Sequence, residues 1–182
     1  LAGVALLLGG PSTPLLFQGE EWAASAPFPY FCDHQDPALA KAVRDGRRRE
    51  FAAFGWRPED VPDPQDPATF RAAKLEWRER DREPHARVLA WYRALLRLRR
   101  ERPDLRDGRP GATRVRFDEA AGWIVVERPR TTLAVNLGNA LARVPLARGE
   151  ARLLLASRDG GVEPGDGGVV LPPDTAAFLA AR

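Results

Sequence analysis

Pro14-Leu15-Leu16-Phe17-Gln18-Gly19-Glu20-Glu21-Trp22 is the stretch that decides the fold class. It is a short apolar run that stops on a glycine and two adjacent carboxylates. A run this short and this apolar predicts a strand over 14–18 that is buried on both faces, as in a parallel sheet. Carboxylates just past the C-terminal end of such a strand stand where an α/β barrel keeps its active site. The apolar stretch 1–8 ahead of it is too short to span a bilayer and has no basic segment before it. It reads as the end of a helix, residues 1–10, feeding the strand. The sequence holds no Met and opens on Leu1, so it is expected to be a piece of a longer protein.

Beyond Trp22 the chain changes character repeatedly. Residues 23–36 are rich in aromatic residues and proline, including Pro27, Phe28, Pro29, Tyr30 and Phe31, which suits a shaped loop. Asp36 followed by Pro37 predicts a capped helix running to about Phe54. Residues 56–66, with Pro58, Pro62 and Pro64, read as a loop, and 69–77 as a short helix. The strongest helical signal spans 83–101, where Val88, Trp91, Tyr92, Leu95 and Leu96 form an i, i+3, i+4, i+7 stripe opposite several arginines. After Gly108 the pattern becomes short β-type runs at 113–117, 123–128, 132–137, 151–156, 169–171 and 175–179. Turn signals separate them, including Gly165-Asp166-Gly167-Gly168. This predicts a small antiparallel β-sandwich with its boundary near residue 108.

With 182 residues, 44% hydrophobic and 29% charged, the composition is that of a soluble globular protein with one substantial domain or two small ones. The net charge of +3 comes from scattered arginines. The clusters Arg47–Arg49 and Arg97 with Arg99–Arg100 fall on predicted amphipathic helices, a pattern of solvated faces rather than nucleic-acid binding. The single Cys32 excludes an intramolecular disulfide and fits a reducing cytoplasm.

Thr13–Trp22, Phe31-Cys32-Asp33-His34, Gly46-Arg47-Arg48-Arg49-Glu50-Phe51 and Val61-Pro62-Asp63-Pro64-Gln65-Asp66-Pro67 together resemble the malto-oligosyltrehalose trehalohydrolase family. This is a branch of the α-amylase superfamily of glycoside hydrolases. The Pro-Leu-Leu-Phe-x-Gly-Glu-Glu strand is shared across that superfamily, glycogen-branching enzymes included. The other three motifs point to the trehalohydrolases. Gln18 and Cys32 depart from the residues, Met and Thr, that the family commonly carries there.

The resemblance implies that residues 1–107 are the last βα unit of a catalytic (β/α)8 TIM barrel with a substrate-side loop. It implies that residues 108–182 are the C-terminal all-β domain. The implied parent is a cytoplasmic enzyme that cleaves the α-1,4-glucosidic bond next to the trehalose end of maltooligosyltrehalose through a covalent glycosyl-enzyme, and so serves trehalose biosynthesis. No cofactor is implied. The alternatives are another superfamily enzyme such as a glycogen-branching enzyme, or a non-catalytic carbohydrate-binding or structural module if the chain stands alone. The implied partners are an α-glucan substrate and the upstream barrel of the same polypeptide, with neither nucleic acid nor a membrane.

Retaining glycosidases need two carboxyl groups about 5–5.5 Å apart across the scissile bond. Glu20 and Glu21, as neighbours on a strand, would point to opposite faces. They are therefore expected to fix the strand end by hydrogen bonds, and the family's three catalytic carboxylates lie upstream, so none is expected in this chain. Trp22, Tyr30 and Phe31 are either sugar-stacking planes or plain loop packing. Asp33 and His34 could hydrogen-bond sugar hydroxyls. Two adjacent residues make a poor zinc set, and Asp60, Asp63 and Asp66 lack a calcium-loop spacing, so no metal is expected. His85 is expected to cap or be exposed, and Cys32 has no activating pair. The substrate-binding set is thus Trp22, Phe31, Asp33 and His34.

Overall fold

A computed structural model describes residues 1–147 and 151–181. Among these described residues four α-helices and eight strands follow in order: α1 (Ala2–Gly9), α2 (Pro37–Ala52), α3 (Pro67–Ala72), α4 (His85–Glu101), β1 (Arg114–Asp118), β2 (Trp123–Glu127), β3 (Thr131–Asn136), β4 (Ala142–Pro145), β5 (Ala151–Ala156), β6 (Glu163–Gly165), β7 (Gly168–Leu171) and β8 (Thr175–Ala181). The protein is mixed helix and antiparallel sheet. A five-stranded sheet has the order β1-β2-β3-β8-β5 and a three-stranded one the order β4-β7-β6.

The period-2 alternation of the central strands explains the layering. Ile124 and Val126 of β2, Leu133 and Val135 of β3, and Ala176 and Phe178 of β8 point to one side of the larger sheet. There they meet Ala2, Ala5 and Leu8 of α1 and Trp91, Tyr92, Leu95 and Leu98 of α4 in one hydrophobic cluster. The intervening residues Val125, Ala134, Ala177 and Leu179 point to the other side and pack with Val144, Val169 and Leu171 of the smaller sheet. Both faces of these strands are therefore covered, and their sequences read as nearly continuous apolar runs for that reason. Helix α1 comes so close to the sheet that a β-carbon at Gly9 would sit 2.7 Å from Leu133 Cδ2.

Two arginines tie the elements together, one joining the two helices and one docking the connection onto the sheet. Arg99 of α4 donates to the carbonyls of Leu8 (2.6 Å) and Gly10 (3.1 Å), which close the end of α1. Its burial, and the charge of Arg128, lower its pKa. Arg128 is 3% exposed and donates to the carbonyls of Asp104 and Asp107 and to Thr113 Oγ1. The connection between α4 and β1 is thereby docked onto the sheet, and the helical and sheet portions share a core across residue 108.

The structure corrects several sequence expectations. Residues 14–18 form no strand. They have no hydrogen-bonded ladder among the described residues, because a parallel strand exists only beside neighbouring strands. Glu20 and Glu21 lie in a 3-10 turn, Glu20–Trp22, so the opposite-face argument for them does not apply. The helix expected at 69–77 is split into α3 and a 3-10 turn, Trp77–Asp81. Pro84 caps α4 rather than lying in its first turn. Strands β4 and β6 gave no sequence signal because they are short and each contains a proline, which suits edge positions.

Candidate functional site

The chain reverses at Gly19, whose φ of +88° and crowded surroundings favour glycine. The turn brings Glu20 back onto its own approach: Oε2 accepts from Phe17 N–H at 2.8 Å, and Oε1 accepts from the Tyr92 hydroxyl at 2.8 Å. Burial and the adjacent Glu20 carboxylate push the Tyr92 phenol well above the ordinary tyrosine range. Glu21 Oε2 is buried without a hydrogen-bond partner among the described residues. It borders a cavity of about 240 Å³ lined by Leu16, Phe17, Leu89, Tyr92 and Leu96.

Trp22 is 1% exposed, and its ring lies 5.2 Å from that of Trp77. It presents no open face, so the expectation that it stacks on a sugar does not fit its burial: the small loop closes over it. His85 Nδ1 lies 2.9 Å from the Trp22 carbonyl and 3.1 Å from that of Ala23, which ties the turn to the start of α4. Ser25 adds a second anchor through Glu79, which accepts from its hydroxyl and its backbone N–H. These two bonds hold the Glu79 carboxyl below its usual range.

Past this anchor the loop exposes rings. Phe17, Phe28, Phe31 and Phe70 form a chain of edge-on contacts with centroids 4.8, 6.0 and 5.2 Å apart. Phe28, Phe31, Phe70 and Trp77 line an open cavity of about 340 Å³. Beside Phe31 the backbone is stitched to the 61–67 loop: Cys32 N–H donates to the Pro64 carbonyl at 2.9 Å and His34 N–H to Gln65 Oε1 at 3.1 Å. That second loop is held by Asp63, which pairs with Arg44 of α2 at 2.6 Å, accepts from Gln65 N–H and presents its carbonyl to Thr69. Asp33 is exposed and accepts from Gln35 Nε2 at 3.1 Å.

Phe31, Asp33 and His34 thus follow one another on one loop, Asp33 exposed and the other two half-buried, while Glu20 bonds to Phe17 and Tyr92 and Trp22 packs on Trp77. Phe70 and Trp77, which line the cavity beside Phe31, belong to elements too short for periodicity to mark them: Phe70 lies within α3 and Trp77 opens the 3-10 turn. Among the described residues no group of three or more His, Cys, Asp or Glu could hold a metal ion, and no helix is long and apolar enough to cross a membrane.

Over 175 residues the chain is 47% identical to the malto-oligosyltrehalose trehalohydrolase of Brevibacterium helvolum, a match covering 96% of this chain and 29% of that protein. Along nearly its whole length the chain resembles malto-oligosyltrehalose trehalohydrolases. The enzyme of the same name from Rhizobium sp. (strain M-11) is 43% identical over 178 residues, again 96% of this chain and 29% of the relative. The chain thus spans about three-tenths of the length of these trehalohydrolases. Residues 108–178 match a family described as a domain of unknown function, DUF3459. Among solved structures, a candidate α-amylase from Salmonella typhimurium superposes with a TM-score of 0.77 at 35% identity, covering 97% of this chain and 30% of that one. The trehalulose synthase of Pseudomonas mesoacidophila (TM-score 0.63, 18% identity, 100% and 38% covered) shares the fold.

Proposed function

We propose that these residues are the C-terminal part of a trehalohydrolase that hydrolyses the α-1,4 bond next to the trehalose end of maltooligosyltrehalose with retention. The observation that carries this reading is the 47% identity to a protein of that name across 96% of the chain. Residues 1–107 are the last βα unit of its barrel and 108–182 its C-terminal β-sandwich. The uncovered apolar side chains around the missing strand support the first part: Leu15 is 87% exposed and Phe17 50%, as expected where neighbouring barrel strands and helices would pack. The core shared by the two sheets supports the second. The parent acts on an α-glucan in the cytoplasm, in trehalose synthesis; the lone Cys32 suits that compartment. The catalytic carboxylates come from upstream.

Within this chain, Phe31, Asp33 and His34 contact the substrate, while Glu20 and Glu21 support the turn that carries them. A ring face receives the C–H face of a glucose unit, and Asp33 and His34 offer an acceptor and a donor or acceptor to hydroxyls. Losing one such contact costs about 1–3 kcal/mol. Phe31→Ala or Asp33→Ala in the full-length enzyme should therefore lower kcat/KM roughly ten- to hundredfold, and unequally for maltooligosyltrehalose and plain maltooligosaccharide. An unchanged ratio between the two substrates in both variants would remove the loop from recognition, as would a loss of turnover equal to deleting the nucleophile.

A further inference from the structure

A second aromatic groove lies next to the Phe31 cavity. Its volume is about 310 Å³ and it is lined by Phe28, Tyr30, Arg47, Phe51, Trp56 and Val61. Phe28 also lines the cavity at Phe31, so the two hollows are neighbours on either side of one ring. Trp56 is 50% exposed and Tyr30 49%. Both are held by neighbours: the Phe51 and Trp56 rings are 5.1 Å apart, and the Arg47 guanidinium lies 4.7 Å from the Phe51 centroid and 5.3 Å from that of Tyr30. Pro27, Pro29 and Pro62 complete the walls.

The charges around this groove are already matched. Arg47 Nη1 donates to Glu50 at 2.9 Å, and Arg57 forms a two-bond pair with Asp60 at 2.7 and 2.8 Å. Ring planes beside neutralised, hydrogen-bonding side chains suit an uncharged ligand rich in hydroxyls and bearing apolar C–H faces. They do not suit an ion, which would need an unmatched charge. Two neighbouring aromatic hollows, one at Phe31 and one at Trp56, suit a ligand of repeated units rather than a compact one.

We propose that the Tyr30–Arg47–Phe51–Trp56 groove is a second carbohydrate site, which takes α-1,4-linked glucose units beyond those held at Phe31 and so makes affinity depend on chain length. The choice of α-glucan rests on the trehalohydrolase reading; the site itself rests on the groove. The test uses the full-length protein, Trp56→Ala and Trp56→Phe, a series of maltooligosyltrehaloses from the shortest cleaved to the longest soluble, and maltoheptaose as a binding probe. Trp56→Ala should raise KM about tenfold for the long substrates, equivalent to ~1.4 kcal/mol. It should leave kcat and the shortest substrate unchanged and weaken maltoheptaose binding by a similar factor. Trp56→Phe, which keeps a ring, should recover most of the loss.

A Trp56→Ala effect that is absent, or equal at every length, overturns the groove as a sugar site. If Trp56→Ala melts much lower in the full-length protein, the folded Trp56→Phe decides: near-wild-type maltoheptaose binding keeps the groove, and a loss equal at every chain length overturns it. A wild-type protein that binds maltoheptaose through Trp56 but releases no trehalose retains the groove and sinks the trehalohydrolase reading. One that does neither sinks both.

Discussion

Replacing Gly19 by alanine tests how tightly the turn into Glu20 is determined. Gly19 has a φ of +88°, and a β-carbon there would lie 2.8 Å from Leu75 Cδ2 and 2.9 Å from Ala24 Cβ. The left-handed backbone alone costs a residue with a β-carbon about 1–2 kcal/mol. Forcing an extra methyl into occupied space adds about 1–3 kcal/mol. Gly55 is the control, since its φ is +80° but nothing lies within 4 Å of its would-be β-carbon. Gly55→Ala should therefore lose about 1–2 kcal/mol and Gly19→Ala about 3. In a chain of this size each kcal/mol moves the melting midpoint by roughly 2–4 °C, so Gly19→Ala should melt about 6–12 °C lower. Thermal and urea unfolding followed by circular dichroism would measure both variants. Equal losses would show that crowding by Leu75 and Ala24 contributes nothing, and a larger loss in Gly55→Ala would refute the reasoning outright.

The anchors beneath the loop give two further expectations. Tyr92→Phe removes the donor to Glu20; a bond to a charged acceptor is worth about 1.5–3 kcal/mol when buried. Glu20 is half-buried, so a loss of about 1 kcal/mol in urea unfolding is expected after solvent screening, and a variant as stable as wild type would discount the bond. The Glu79 carboxyl, depressed by Ser25, should titrate by NMR below ordinary glutamates and move back up in Ser25→Ala. Because its folded pKa is depressed, its stabilising effect is present above the unfolded glutamate pKa and fades as the pH falls through the folded value. Ser25→Ala should therefore flatten the acid limb of the stability profile, and an unaltered limb would contradict the anchor.

The elements that were legible in sequence are those whose pattern is self-sufficient. The stripe on α4 carries its own periodicity and the β2, β3 and β8 runs are apolar on both faces, and each is packed as its pattern requires. Two readings depended on neighbours. The run at 14–18 is apolar enough for a buried strand, but a ladder needs a second strand, which no local pattern supplies. Sequence left Trp22 between sugar stacking and loop packing because nothing nearby announces Trp77, 55 residues on, as its cover. The loop at 31–34 could be recognised from its motif. Its attachment to Pro64 and Gln65 could not, because backbone-to-loop hydrogen bonds leave no trace in residue type.

The most direct test of the proposed activity is product analysis with the full-length protein on maltooligosyltrehalose and on a maltooligosaccharide of equal length. The account predicts that free trehalose is released from the first substrate, that the second is cleaved poorly, and that the 182-residue chain alone releases nothing from either. Absence of trehalose, formation of branched glucan, or activity of the 182-residue chain by itself would contradict it.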